Sequence, residues 1–547
     1  MTWINRIVKG IFSLFAVAIL VSALLSRNLD VTQLPKKFLI ILVVCIVLLI
    51  AILAIPPLRH RAKKIVVSVF KTIKNHLLAF AIIFCSLIIL YQSILVLSIY
   101  APPGFDPSYM MNLIWLKLHD PSQAMSYNYL SELTNNQLFF FVIYALALLT
   151  GGPHLGVLGL FNMICIDISI LFTALAAYKK FGRSYGYATL FFSGLLLGFS
   201  PVVLITYTDT TVLPFVSFGL WLLASYKTVF SLQKQMAFGI SLGSMFALTY
   251  LMKPSAIMPF IAAVIVFCLW VFQMIYQVLK QTKRIKTTSA IRIGSFLLAG
   301  ALTFVGINFL FGKFVEEQTI FDYHDEMRMP LTHFAMMGLS QPHGGYSSAD
   351  FQATRDAGDY NQKVAYNIST IKSRLESFGF TGYLSFLAQK YYYNTADGSF
   401  GFRKEGGSPL YQNRISDSDN LATKLLGRLY FSDGSYFTIY QFYSQIIWLF
   451  LVVLMLCSIS SSSSYTRILW IAFMGGLIFL LIFEGGRSRY LIQFLPLCSI
   501  LCSLGLHAVV KRLRLDAIHE SHIYRQGKRG GHSVPVADRN ANQKKTH

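Results

Sequence analysis

Residues 77–107 read LLAFAIIFCSLIILYQSILVLSIYAPPGFDP and indicate the class of structure to which this chain belongs. Residues 77–98 form an apolar run that is long enough for a helix across a hydrocarbon core of about 30 Å. The run stops at residues 101–107, a turn rich in proline and glycine that carries Asp106. We therefore predict a membrane-spanning helix and, after it, a stiff turn that holds a carboxyl group at the membrane surface.

The composition of the whole chain also indicates a membrane protein. Of the 547 residues 55% are hydrophobic and only 13% are charged, and the mean hydropathy is +0.55. Soluble proteins carry about 25% charged residues. Apolar runs long enough for spans recur at 8–26, 38–57, 77–98, 155–177, 186–206, 211–230, 236–252, 256–278, 290–311, 445–459, 466–483 and 489–509.

These runs predict an all-α polytopic membrane protein with about 12–13 transmembrane helices. The first run is expected to stay in the protein, because a second span follows closely and no clear small-residue cleavage site is present. The run 137–151 is short, so we expect it to enter the membrane without a full crossing.

Basic residues are concentrated in a few segments. The net charge is +23, and Lys and Arg cluster in the loops 59–74, 179–183 and 280–286 and in the tail 511–547. Such loops stay in the cytoplasm, so the charge indicates orientation and contact with membrane lipids rather than nucleic-acid binding. The resulting topology places these segments outside the plasma membrane: 99–136, 207–211, 253–255, 312–443 and 484–488.

The runs and loops divide the chain into parts. The predicted parts are two N-terminal spans (1–57), a membrane core (77–311) with a first outer loop (99–136), one large extracytoplasmic loop domain of mixed structure (312–443), C-terminal spans (444–510) and a basic cytoplasmic tail (511–547). Within the loop domain, apolar spacing predicts a helix over 361–393, and Gly, Ser and Asp predict a loop over 396–420. The tail is expected to be disordered after its first turn.

Two predicted outer turns carry carboxylates. Asp106 lies in the first outer loop, and Asp209 lies in the sequence Tyr207-Thr208-Asp209 at the end of a predicted span. A carboxylate at such a position can take a proton from an acceptor hydroxyl. Either residue can instead cap the helix that follows it.

Two other predicted outer turns carry cations. Lys253 precedes Pro254, and Arg487 and Arg489 follow Glu484 between the last two spans. Outer cations run against the positive-inside trend and so need a reason. Guanidinium groups bind phosphate in a bidentate manner, so the arginines fit an anion site, or else a structural pair with Glu484. A lone lysine at this level often only extends to the interface.

Several strings resemble a GT-C fold glycosyltransferase, in particular a family of integral membrane proteins of Gram-positive bacteria. They run in order along most of the chain: Asp106, Tyr129 to Asn136, Tyr207 to Asp209, Lys253-Pro254-Ser255, His333 to Leu339, and Glu484 to Tyr490. One string departs from the family pattern, with Ser131 in place of Glu and Thr134 in place of Pro. This departure weakens the expectation of a second functional acid in the first outer loop, for which Glu132 is the substitute.

The resemblance implies transfer of a sugar from a polyprenyl-phosphate donor to a cell-envelope glycan or glycolipid, with inversion. Asp106 would be the catalytic base, and Asp209 would orient the acceptor or bind a divalent metal ion (Mg, Mn or Ca). The donor phosphate would be held by Lys253, His333, Arg487 and Arg489. The acceptor would be supported by Glu132, Asn135, Asn136, Tyr207 and Glu484. The alternative is a non-enzymatic transporter, flippase or assembly protein for lipid-linked saccharides.

Overall fold

The computed structural model of the chain describes residues 2–101, 104–120, 122, 128–227, 230–280, 287–402 and 420–529. The membrane part consists of helices α1 Thr2–Leu24, α2 Lys36–Ala54, α3 Pro56–Asn75, α4 Leu77–Ile99, α5 Asp106–His119, α6 Gln137–Thr150, α7 Leu155–Phe181, α8 Arg183–Ser193, α9 Leu213–Ser225, α10 Leu232–Met252, α11 Met258–Leu279 and α12 Thr287–Glu317. They are followed by α13 Leu331–Met337, α14 Ser348–Asp356, α15 Tyr360–Thr395, α16 Leu421–Tyr430, α17 Phe437–Cys457, α18 Ser464–Phe483 and α19 Leu495–Arg529.

The all-α prediction is confirmed, since no strand occurs among the described residues. Within them, ten helices are long and apolar enough to cross a membrane. The other two predicted spans, 186–206 and 211–230, are built from shorter pieces. Helix α8 passes into a π-helical turn at Gly194–Gly198 and a 3-10 turn at Pro201–Leu204, and α9 has 13 residues. Proline and the tight packing of Gly194 against Phe84 explain the break.

Helix α6 does not run the length of the bundle. Its first residue follows Asn136, and its last turn lies near Met111 and His154, at the same end of the bundle. Its 14 residues reach only about 21 Å. The helix is thus shorter than a hydrocarbon core of about 30 Å, and an incomplete crossing by 137–151 stays a prediction.

The two ends of the bundle differ in their loops. One end carries the turns around 100–136, 205–211, 253–257 and 484–488, together with the loop domain 312–443. At the other end α7 leads into α8, and Tyr185 stacks on His507 with ring centroids 3.7 Å apart. The amphipathic helix α3 joins α2 to α4 at that same far end and exposes basic side chains such as Arg59, Lys63 and Lys71. The described basic loops thus share one end of the bundle, as the charge pattern predicts.

The loop domain is helical in its described part. Helix α15 covers the predicted helix 361–393 and bends at Gly379, whose φ is +59°. The expected mixed structure reduces to helices joined by turns, and most of the predicted loop 396–420 lies in residues 403–419, outside the described part. The predicted tail begins inside α19, which continues to Arg529, and 530–547 are likewise outside it.

A buried lysine ties the loop domain to the bundle. The ammonium of Lys390, on α15, donates to the carbonyl of Gly338 at 2.6 Å and to that of Leu481, near the end of α18, at 2.7 Å. Lys390 is fully buried, and burial lowers the pKa of its ammonium to about 8, although the charge of Glu484 opposes this. The domain is therefore docked onto the bundle through carbonyl groups rather than through an opposite charge.

Candidate active site

A cavity of about 1130 Å³ lies between the loop domain and the end of the bundle that carries the turns. Its wall comes from segments far apart in the sequence. Of the predicted site residues it includes Asp106, Glu132, Asn135, Asn136, Tyr207, Lys253, His333, Glu484, Arg487 and Arg489. Asp209 is the exception: it does not line the cavity and has no exposed surface.

Asp106 is held by neutral hydrogen-bond donors. The N-cap position of α5 is occupied by Phe105, and Asp106 is the first residue inside the helix. The Tyr207 hydroxyl donates to Oδ2 of Asp106 at 2.6 Å. The expectation that Asp106 acts as a helix cap is thus wrong, although an acid in the first turn still benefits from the helix dipole.

Two tyrosines surround the Asp106 carboxylate. Burial, followed by the nearby charge of Asp106, raises the pKa of both Tyr129 and Tyr207 well above the ordinary value. Both hydroxyls therefore stay protonated and can donate hydrogen bonds. Asn136 orients this group, since its Nδ2 donates to the Tyr129 hydroxyl at 2.7 Å and its Oδ1 lies 3.2 Å from that of Tyr207.

Asp209 has charged partners. The Lys253 ammonium donates to its Oδ1 at 2.6 Å, and Nε of Arg489 lies 3.4 Å from its Oδ2. The N-cap of the short helix Thr208–Thr211 is Tyr207 and that of α9 is Val212, so the cap expectation for Asp209 is wrong too. One carboxylate between two cations leaves this triad with one net positive charge.

Arg489 is also enclosed by aromatic rings. Its guanidinium carbon lies 4.2 Å from the ring centroid of Phe105 and 5.4 Å from that of Tyr490. Lys253 approaches the same Tyr490 ring at 5.3 Å. Cations over ring faces are stabilised by the ring quadrupole, so the aromatic side chains hold both cations at the base of the cavity.

Arg487 has a different environment from Arg489. Among the described residues its guanidinium has no ion pair and no side-chain hydrogen bond, and neither arginine pairs with Glu484. Of the two alternatives for these arginines, the pair with Glu484 is thus not formed. Burial raises the pKa of the half-buried Glu484 carboxyl, while Lys253 opposes this shift.

The glycines before Arg487 explain how it reaches the cavity. A Cβ atom on Gly485 would lie 2.7 Å from Cα of Gly345, so only glycine permits this close approach of the two backbones. The amide of Gly486 also donates to the carbonyl of His343 at 2.9 Å. The turn 484–488 is therefore fixed against the loop domain.

His333 supplies no charge to the site. It is fully buried, and its Nδ1 lies 2.8 Å from the Thr354 hydroxyl, which also contacts the carbonyl of Asp350 at 2.9 Å. Burial lowers the pKa of His333 to about 4, although the charge of Asp350 opposes this. At neutral pH the ring is neutral, which argues against the predicted electrostatic role toward a phosphate.

Glu132 connects the Tyr129–Asn136 string to the loop domain. Its Oε1 pairs with Arg355 of α14 at 2.6 Å, and burial raises the pKa of its carboxyl against the effect of Arg355. The departure at Ser131 has a structural role, because the amide of His324 donates to its hydroxyl at 3.1 Å. Glu132 is thus committed to a bridge across the cavity wall.

The carboxylates near the cavity do not converge on one point. Among the described residues, no group of three or more His, Cys, Asp or Glu side chains could hold a metal ion. The predicted divalent-metal role of Asp209 therefore has no ligand set in that part of the chain, and its oxygens face Lys253 and Arg489.

Comparison with known families agrees with the helical architecture. A family model described as conserved hypothetical integral membrane protein matches residues 1–510. The chain belongs to this family. Its description names an integral membrane protein and no reaction or substrate. No curated protein matches the chain.

For this family member, sequence reasoning missed several residues that build the cavity. Phe105 and Tyr129 lie inside the identified strings, but the charged residues Asp106 and Glu132 beside them give the clearer signal. Arg355 lies in the last turn of α14, and Lys390, which docks the loop domain rather than lining the cavity, lies in α15; neither belongs to a local motif. Only their partners, distant in sequence, distinguish them, and those become visible in the folded chain.

Proposed function

We propose that this protein is a membrane glycosyltransferase that moves a sugar from a polyprenyl-phosphate donor to a cell-envelope glycan or glycolipid. The observation that carries the proposal is the content of one cavity. It combines the Asp106 carboxylate and its neutral hydrogen-bond donor, the Arg487 guanidinium, which has no ion pair within the described part of the chain, and an apolar wall from a candidate membrane span. The carboxylate suits a general base, the guanidinium suits the binding of a phosphate, and the apolar wall suits a lipid.

Asp106 is the base in this proposal. The acceptor hydroxyl oxygen attacks the anomeric carbon while Asp106 takes its proton. The bond between the anomeric carbon and the phosphate oxygen breaks, and polyprenyl phosphate leaves with the electron pair. A single displacement of this kind inverts the anomeric configuration. Tyr207 and Asn136 hold the carboxylate in place for the attack.

Arg487 binds the donor phosphate in this proposal, assisted by the net positive triad of Lys253, Arg489 and Asp209. Arg487 can offer its guanidinium to a ligand because no carboxylate of the described chain occupies it. Fixed cations stabilise the charge that grows on a departing phosphate. Lys253 and Arg489 line the cavity and contribute their field to it, while Asp209 lies behind the wall and neutralises one of the two charges.

The lipid part of the donor would lie along the apolar wall. Phe479 and Phe483 come from α18, a candidate span, and line the cavity together with Phe334 and Met337 of the loop domain. On the same stretch of α18, Ile482 is 44% exposed, as expected for a surface in contact with lipid. A polar cavity that opens beside such a surface fits a ligand with a charged head and a hydrocarbon tail.

The site would face outward from the plasma membrane. The described basic loops lie at the opposite end of the bundle from the cavity, and such loops are retained in the cytoplasm. Nucleotide sugars are cytoplasmic, so an outward site needs a lipid-linked donor.

The test uses the purified full chain in lipid nanodiscs with polyprenyl-phosphate mannose, glucose and galactose as donors and envelope glycans as acceptors. We expect release of polyprenyl phosphate and a labelled glycan from one of the donors, and neither from Asp106→Asn. If no donor reacts, but the protein moves a lipid-linked saccharide across proteoliposomes, the transporter alternative replaces this proposal.

A further inference from the structure

A second cavity, of about 620 Å³, lies in the loop domain beside the first. It is bounded by the turn 339–347, the start of α14 and the bent part of α15. Tyr346 and Arg487 line both cavities, so the two spaces meet at these side chains. The volume lies within the range of about 300–1,000 Å³ that is typical of small-molecule sites.

The lining of the second cavity differs from that of the first. Most of it is polar, with hydroxyl and amide groups from Ser340, Gln341, Ser347 and Ser377. The paired phenylalanines of α18 are absent from its lining. A hydrocarbon chain would gain little there, because binding of apolar surface needs an apolar wall.

The ring of Tyr346 provides a flat surface at the junction. Tyr346 is 65% exposed, although it lies at the meeting point of two cavities. An aromatic ring with a polar tip, beside hydroxyl and amide groups, matches the alternating apolar and hydroxylated faces of a sugar ring.

The charges within the second cavity largely cancel. Arg374 forms two hydrogen bonds to the Asp350 carboxylate, at 2.6 and 3.0 Å, and a third to the carbonyl of Met336 at 2.8 Å. Arg487, which has no ion pair with any described residue, stands at the boundary to the first cavity. The inner part of the second cavity thus offers neutral hydrogen-bonding groups and one ion pair, Arg374 with Asp350, whose charges cancel.

We infer that the second cavity is a subsite for the glycan part of the acceptor, a neutral oligosaccharide whose reactive end passes Tyr346 toward Asp106. That this saccharide is the acceptor rests on the proposed function, whereas its binding to the cavity does not. Because the junction lies between two cavities, the protein would favour an acceptor of more than one sugar over a monosaccharide.

The experiment compares two serines of α15. Ser377 lines the second cavity and Ser373, four residues earlier, does not, and both side chains are exposed. Ser377→Trp would place a bulky ring in part of the cavity, while Ser373→Trp leaves the cavity open. Binding of maltotetraose, mannotetraose and chitotetraose to the full chain in nanodiscs is measured by saturation-transfer NMR.

We expect one of these tetrasaccharides to bind the wild type, with at least tenfold weaker binding to Ser377→Trp and unchanged binding to Ser373→Trp. Asp106→Asn should bind it like the wild type. Absence of binding for all three probes, or equal losses in both tryptophan variants, would overturn the subsite. Saccharide binding without donor turnover would retain the subsite and refute the proposed function.

Discussion

Two aspartates at the same end of the bundle are used in opposite ways. Asp106 lines the cavity and accepts a hydrogen bond from a tyrosine, whereas Asp209 lies behind the wall between Lys253 and Arg489. Neutral donors leave a carboxylate its charge and its ability to take a proton. Two cations instead fix a carboxylate as their counter-ion, as in Asp209. Under the proposed function, this contrast favours Asp106 as the base and Asp209 as a positioning residue for the cations.

The largest expected effect is the loss of transfer in Asp106→Asn. Removal of a general base lowers the rate about 10²–10⁴-fold. Asparagine can still accept the Tyr207 hydrogen bond, so the unfolding midpoint in detergent should change little. Release of polyprenyl phosphate gives the rate. Asp120→Asn, just after α5 and outside the cavity lining, is the matched control and should react normally.

The second effect concerns stability rather than rate. Asp209→Asn leaves Lys253 and Arg489 buried without their shared anion, which should lower the free energy of unfolding by about 3–5 kcal/mol. Thermal denaturation of the purified protein in detergent measures this loss. The double variant Asp209→Asn, Lys253→Met removes one of the two cations and should recover part of it. A variant Asp209→Asn that melts like the wild type but fails in transfer would restore a catalytic role for Asp209.

The third effect concerns two buried lysines that differ in their partners. Lys253 pairs with the carboxylate of Asp209, whereas Lys390 donates to backbone carbonyl groups. The folded pKa of Lys390, about 8, lies below its usual value, so the unfolded chain binds more protons above that pH. Stability should therefore rise with pH from about 8 to about 10, by up to ~3 kcal/mol. Melting midpoints across this range measure the slope, and Lys390→Met should remove it. An equal slope in both proteins would contradict the assignment.

The smallest effect is expected for Tyr207→Phe. This change removes one hydroxyl donor to Asp106, and a hydrogen bond to a charged group contributes about 1.5–3 kcal/mol. The transfer rate should fall by about 10- to 150-fold, with an unchanged KM for the donor. Steady-state kinetics separate the two constants. A raised KM with a normal kcat would place Tyr207 in donor binding instead.

The helical class of this chain was predictable from hydropathy, because a span needs a long apolar run. Residues of the candidate site were also predictable in part. Charged residues are rare in this chain, and the positive-inside trend places Lys and Arg at the other end of the bundle. Lys253, Arg487 and Asp106, in turns predicted at the outer end, could therefore each be identified from the sequence. The resemblance supplied their order along the chain.

Their pairing was not predictable from the sequence. Asp209 sits in a sequence that favours a cap, and its partner Lys253 comes 44 positions later. His333 belongs to a string that suggests function, yet its burial and its contact with Thr354 remove its charge. Local sequence reports propensity, whereas burial and long-range partners decide the charge and role of a side chain.

The amphipathic helix α3 links the reach of the site to membrane thickness. Because α3 joins two candidate spans and exposes basic side chains, we expect it to lie on lipid headgroups and to set the depth of the bundle from the leaflet opposite the cavity. The height of Arg487 relative to the nearer headgroup plane would then depend on bilayer thickness, which differs by a few Å between membranes. Under the proposed function, the distance that the donor phosphate travels to reach the guanidinium would be a joint property of the protein and the bilayer.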